Sequence, residues 1–133
     1  ERSGLGVFYA LKHIIVAGSG PFLGNPFEIY VYDPTSAEQP VATCKPDDSV
    51  QPGFFNDLVV DGVMAYITDS TQNRLWKFNV QDAIESGSCD DLSFVELEAD
   101  VFLGDAETPI RSNGMFSKRA ESLFYLACFL FSR

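Results

Sequence analysis

The chain has 133 residues, enough for one domain with its own core, and its 46% hydrophobic against 21% charged residues make it too apolar to be disordered. Its formal net charge of −10 sets its field against phosphate backbones and anionic headgroups, which argues against nucleic acid and membrane surfaces as partners. Such a surface suits solubility, and equally a mouth lined with carboxylates and carbonyls that gathers hard cations.

Three cysteines, Cys44, Cys89 and Cys128, show no Cys-x-x-Cys spacing, so neither a zinc knuckle nor a thioredoxin-type redox site is supported. A Cys44–Cys89 disulfide in an exported protein and free thiols are both compatible with the count, so the compartment, extracellular or cytoplasmic, stays open. No stretch reaches the roughly 20 consecutive apolar residues of a membrane helix. The sequence starts at Glu1 without a signal-peptide pattern, and reads either as a chain whose leader has been removed or as a stretch within a longer one.

Short apolar runs and period-2 alternation dominate, rich in Phe, Tyr, Val and Ile, which suit pleated surfaces. In chain order the predicted strands are Gly6–Tyr9, His13–Ala17, Phe27–Tyr32, Val41–Cys44, Leu58–Val60, Met64–Thr68, Arg74–Asn79, Ser93–Glu96, Gly114–Phe116 and Ser122–Cys128. The turn clusters Gly18-Ser19-Gly20-Pro21, Asp33-Pro34-Thr35-Ser36, Asp61-Gly62 and Ser70-Thr71-Gln72-Asn73 punctuate them. A weak helical period occurs around Val80–Ser86. The fold class is therefore all-β.

The strands repeat. Ile14-Ile15-Val16-Ala17-Gly18-Ser19, Ala65-Tyr66-Ile67-Thr68-Asp69-Ser70 and Leu123-Phe124-Tyr125-Leu126-Ala127-Cys128 align at offsets of 65 − 14 = 51 and 123 − 65 = 58. Each follows a shorter segment: Gly4-Leu5-Gly6-Val7, Asn56-Asp57-Leu58-Val59 or Asn113-Gly114-Met115-Phe116. A third and a fourth strand complete the first two units, and four short antiparallel strands at a period near 50 residues are the pattern of β-propeller blades. A β-sandwich also has many short strands but does not require aligned repeats. The expectation is a β-propeller fragment with approximate blades 1–50, 51–108 and an incomplete 109–133, cut after the second strand of its last blade. Blades bury their faces on neighbouring blades, so such a fragment should expose apolar sheet faces.

The run Phe55-Asn56-Asp57-Leu58-Val59-Val60-Asp61, with Ala65-Tyr66-Ile67-Thr68-Asp69-Ser70 and Asn73-Arg74-Leu75-Trp76-Lys77, resembles the senescence-marker-protein/gluconolactonase/luciferin-regenerating-enzyme-like family of six-bladed propellers. Arg111-Ser112-Asn113-Gly114-Met115 followed by Ser122-Leu123-Phe124-Tyr125 matches another blade opening of that family, so the resemblance covers nearly the whole chain. It implies a divalent-metal-dependent lactone or ester hydrolase. The cation would be calcium, with zinc or magnesium as alternatives, and the substrate a small lactone or sugar-acid derivative.

Carried over residue by residue, the resemblance implies that Asn56 lines the central channel near substrate and metal and that Asn113 is a direct metal ligand. Amide carbonyls are hard oxygen donors suited to calcium, but two neutral amides do not hold it tightly. The family's ligand Glu and its ligand and base Asp open blades outside this stretch, so the resemblance implies activity for a completed propeller and an inactive chain by itself. The alternative is a non-catalytic propeller that binds a ligand or protein, as in NHL-repeat, strictosidine-synthase-like or yellow-type relatives.

Each residue also has a structural role to weigh. Asn56 and Asn113 stand where Asn commonly forms turns before strands. Asp57 is expected to bond nearby backbone amides, and Asp69 to be a hydrogen-bonding corner residue. His13, the single histidine, lacks a Ser or Cys partner in a triad arrangement and reads as structural or exposed. Gly4-Leu5-Gly6 and Gly18-Ser19-Gly20-Pro21 lack the helix and the Lys-Ser/Thr ending of a phosphate loop. Trp76, Tyr30 and Tyr32 are expected to pack between blades.

Overall fold

A computed structural model describes residues 4–18, 27–36, 38–51, 53–69, 72 and 74–96, and the backbone of 115–118 and 123–126. The first sheet joins β1 (Gly4–Ala10), β2 (His13–Gly18), β3 (Ile29–Tyr32) and β4 (Ala42–Cys44) as an antiparallel meander in chain order. The second repeats that order with β5 (Phe55–Asp61), β6 (Met64–Asp69), β7 (Arg74–Asn79) and β8 (Ser93–Glu96). A two-stranded antiparallel sheet follows, of β9 (Met115–Lys118) and β10 (Leu123–Leu126). The described residues are all-β apart from one short helix.

The repeat is present in the register itself. Gly4 pairs with Gly18 and Phe55 with Asp69, while Ala10 pairs with His13 and Asp61 with Met64, so 55 − 4, 69 − 18, 61 − 10 and 64 − 13 are all 51. Each first strand carries one extra residue at the same place, between Gly4 and Gly6 and between Phe55 and Leu58. Such a bulge bends its strand and increases the local twist.

Alternation then decides the faces. Ile15, Ala17, Ile29, Val31, Ala42 and Cys44 of the first sheet form one buried cluster with Leu58, Val60, Ala65, Ile67, Trp76 and Phe78 of the second. Each fully buried large apolar side chain in such a layer stabilises by about 1.5–3 kcal/mol. The sheets approach most closely at β5, which contacts both β1 and β2, and β5 also meets β9. Aromatic rings pack in the same layer: the Phe27 ring lies 3.9 Å from Phe55 and 5.7 Å from Trp76, and Trp76 lies 4.9 Å from Phe94.

The helix α1 (Val80–Ser86) sits in the connection between β7 and β8. The Asn79 carboxamide accepts the backbone N–H groups of Gln81 and Asp82, satisfying two otherwise orphaned donors. Gly87 ends the helix at φ 81°, a left-handed conformation that costs glycine little, and its N–H returns to the Ala83 carbonyl at 2.8 Å. Val80 and Ala83 are buried, and the segment beyond the cap reaches the edge of the first sheet, where the Thr43 N–H donates to the Gly87 carbonyl at 3.3 Å. A disulfide joins Cys44 of β4 to Cys89 just beyond α1, with Cα atoms 4.9 Å apart. Of the two thiol states open at the level of sequence, the structure adopts the bonded one.

Tyr30 and Tyr32 do not pack between the two sheets. They pair across to Val16 and Ile14, whose neighbours Ile15 and Ala17 point into the shared core, so both tyrosines lie on the opposite face of the first sheet. Trp76 does pack between the sheets, against Phe27 and Phe55.

Candidate functional site

Asn56 stands inside β5, at its bulge, rather than in a turn preceding the strand. Turn-like composition from Gln51 to Asp57 suggests a later strand start, but Phe55 pairs with Asp69 and draws the strand back to include Asn56 and Asp57. The bulge lies directly against β1. A Cβ on Gly6 would stand 3.0 Å from the Asn56 carbonyl oxygen, the Asp57 Cα and the Leu58 nitrogen, so the close approach of the two backbones favours glycine.

Cross-strand bonds hold the bulge. Thr68, fully buried on β6, accepts the Asp57 N–H at 3.1 Å, and its hydroxyl lies 3.4 Å from the Asp57 carbonyl. The Asp57 carboxylate accepts the N–H of Leu58 at 2.8 Å, which is the backbone-bonding role expected of it. Half-buried Asn56 is thereby placed at the seam between the first strands of the two sheets.

Asp69, fully buried, forms the corner beside this bulge. Its Oδ1 accepts the N–H groups of Phe54 at 3.0 Å and Gln72 at 3.1 Å, and its Oδ2 accepts the Trp76 indole N–H at 3.3 Å. Gly53 closes the other side, where even a methyl group would overlap the carboxylate. The corner role foreseen for Asp69 holds, whereas Gly53 and Thr68 carry no recognisable motif and emerge only from their contacts.

The remaining polar candidates serve structure. His13 Nδ1–H donates to the Leu11 carbonyl at 2.8 Å and steadies the β1–β2 hairpin. Arg74 holds the Gln51 carbonyl at 3.1 Å, and its guanidinium lies 4.6 Å from the Phe94 ring centre, a cation–π contact. On the surface, the Thr35 hydroxyl and backbone N–H both donate to Asp33, and hold its carboxyl below the ordinary 3.8. The hydroxyl and backbone N–H of Ser49 lower Asp47 in the same way.

Asn113 lies outside the described residues, so its distance from Asn56 is not part of this geometry. Among the described residues no three or more His, Cys, Asp or Glu side chains converge into a group that could hold a metal. The seam holds the amide of Asn56, whose oxygen is a hard donor by type, near the Asp57 and Asp69 carboxylates, which accept backbone N–H groups. No protein-family model matches the chain, and no curated protein matches it.

Proposed function

We propose that the chain is part of a six-bladed β-propeller of the gluconolactonase-like type, whose complete form is a divalent-metal-dependent lactone or ester hydrolase. One observation carries this reading: successive sheets repeat at a register offset of 51 residues, and their first strands lie side by side, β5 touching both β1 and β9. Repeated sheets whose first strands lie side by side are what a ring of sheets around an axis requires. Asn56 then faces the axial channel as a substrate or metal contact, and Asn113 opens the next repeat as a metal ligand.

In this reading calcium, or alternatively zinc or magnesium, is held by these amide oxygens together with carboxylates contributed by other blades. Bound there, the cation would polarise the lactone carbonyl and acidify a bound water. The role of this chain's residues is placement. The Gly6 contact and the Thr68 bonds fix the bulge, and with it the backbone from which Asn56 projects.

A non-catalytic binding module is the second reading. It is favoured by the employment of Asp57 and Asp69 in backbone and indole hydrogen bonds, which leaves neither available as a general base. Thermal unfolding of the complete propeller with and without calcium, alongside hydrolysis of a panel of sugar lactones, separates the two. The hydrolase reading expects a calcium-dependent rise in the transition that Asn113→Ala removes, together with turnover. A calcium-insensitive transition and no turnover would overturn it in favour of the binding module.

A further inference from the structure

The connection between β7 and β8 leaves its own sheet and crosses to the outer edge of the first. Ser88 forms a parallel bridge with Thr43, the middle residue of β4, the Thr43 N–H donates to the Gly87 carbonyl at 3.3 Å, and Cys89 is bonded to Cys44. Residues 87–89 thus lie along β4 as a short strap on the side away from β3, where an edge strand otherwise presents unpaired backbone groups.

The strap is anchored unequally on its two sides. Toward its own repeat, the Gly87 N–H reaches the Ala83 carbonyl at 2.8 Å, the Ser86 hydroxyl the Asp82 carbonyl at 2.8 Å, and the Asn79 N–H the Asp91 carboxylate at 2.9 Å. Val80 and Ala83 hold α1 in the core without help from the strap. Toward β4 the Thr43 bond is longer than any of these, and Thr43 is exposed, so water competes for both of its partners. Charge gives no further hold. Asp47 and Asp48 follow β4, Asp90 and Asp91 follow Cys89, all four are exposed, and Lys45 is engaged with Asp48 on its own side at 2.6 Å. Like charges on both sides of the junction repel. The disulfide is the tie that keeps the strap on the edge.

We propose that residues 87–89 are a redox-sensitive strap: with the disulfide formed they cover the edge of β4, and on reduction they leave it while both sheets and α1 persist. The reductant is a dithiol. Its thiolate attacks at Cys89, which is half-buried, because Cys44 is fully buried in the core. Cys44 leaves as a thiolate and takes up a proton. The second thiol of the reductant then displaces Cys89, which is protonated in turn, and the reductant departs as its own disulfide, so two electrons and two protons pass to the protein. Release bares the Thr43 N–H and turns a covered edge into one that an extended segment can pair with. The strap is built from β4 and the β7–β8 connection alone, so a failure of the calcium experiment leaves it untouched.

Nuclear Overhauser spectra of the oxidised chain, of the chain in excess dithiothreitol and of Cys44→Ala/Cys89→Ala test this. In the oxidised chain cross-peaks should join Thr43 to Ser88 and, as a reference within the second sheet, Ile67 to Trp76. Reduction and the double variant should each abolish the first set and keep the second, and dithiothreitol should change nothing further in the variant. Should the double variant fail to fold, the reduced parent alone decides. A Thr43–Ser88 contact that survives reduction, or is missing from the oxidised chain, overturns the proposal. Loss of both sets on reduction overturns it as well, because the sheets then unfold instead of releasing the strap.

Discussion

Asp69 and Trp76 are joined across the β6–β7 pair by a hydrogen bond from the indole N–H to the carboxylate, 3.3 Å long and buried on both sides. Through this bond the largest side chain between the sheets is tied to the corner that also holds the backbone at Phe54 and Gln72. Polar anchoring and aromatic packing are therefore a single unit in the second sheet.

Asp69→Ala deprives three donors of their acceptor in a dry environment, and should cost about 3 kcal/mol or more. Trp76→Phe loses one donor and some ring area, and should cost less. Gly53→Ala forces the carboxylate to move and should cost about 1–3 kcal/mol. Urea unfolding ranks the three variants; an Asp69→Ala chain as stable as the parent would refute the role given to this corner.

The β1–β2 hairpin is closed by Leu11 at φ 51° and Lys12 at φ 62°, both in the left-handed region although neither is glycine. Tight two-residue hairpins ordinarily use Asn-Gly there, and a side chain in that region costs about 1–2 kcal/mol. Leu11→Asn combined with Lys12→Gly should therefore raise stability by about 1 kcal/mol or more, read as a higher urea midpoint at constant slope. A lowered midpoint would mean that the Leu11 side chain has packing worth more than the backbone relief.

The Cys44–Cys89 disulfide spans 45 residues and ties the first sheet to the segment behind α1. Loop-closure entropy for that span corresponds to about 4 kcal/mol, by a model in which the cross-link acts chiefly on the unfolded chain. Cys44→Ser/Cys89→Ser and treatment of the parent with dithiothreitol should produce the same loss. Indifference of the parent to the reductant would show that the two thiols are not bonded in solution.

Acid should weaken the fold through its Asx turns. Asp33 and Asp47 have folded-state pKa values below the ordinary 3.8, so their contribution is fully present above that value and is lost as pH falls through the depressed one. Thr35→Ala and Ser49→Ala remove hydroxyl donors to these carboxylates and should flatten the fall in urea midpoint between near-neutral pH and about pH 3. Both carboxylates are solvent-exposed, so the expected change is small, and a steeper fall in the variants would contradict the assignment.

Much of the architecture was legible in the residues alone. Period-2 alternation and short apolar runs locate the ten strands found among the described residues, and the span expected to be helical, Val80–Ser86, is the span of α1, because Asn79 and Gly87 supply both caps locally. The repeat was legible too, since offsets between like segments need no knowledge of their packing.

Position within the assembled sheets was decided elsewhere. That Asn56 belongs to a bulged strand depends on the pairing of Phe55 with Asp69, fourteen residues away in sequence, and on a backbone approach by Gly6 from the other sheet. The same holds for Tyr30 and Tyr32, whose alternation places them on one face without saying which face meets the second sheet, and for whether Cys44 and Cys89 are bonded or free. Local pattern determines which side chains share a surface; only the contact between remote segments determines which surface is closed, and here it closed one face of the first sheet and left Val7 and Tyr9 on the other in solvent.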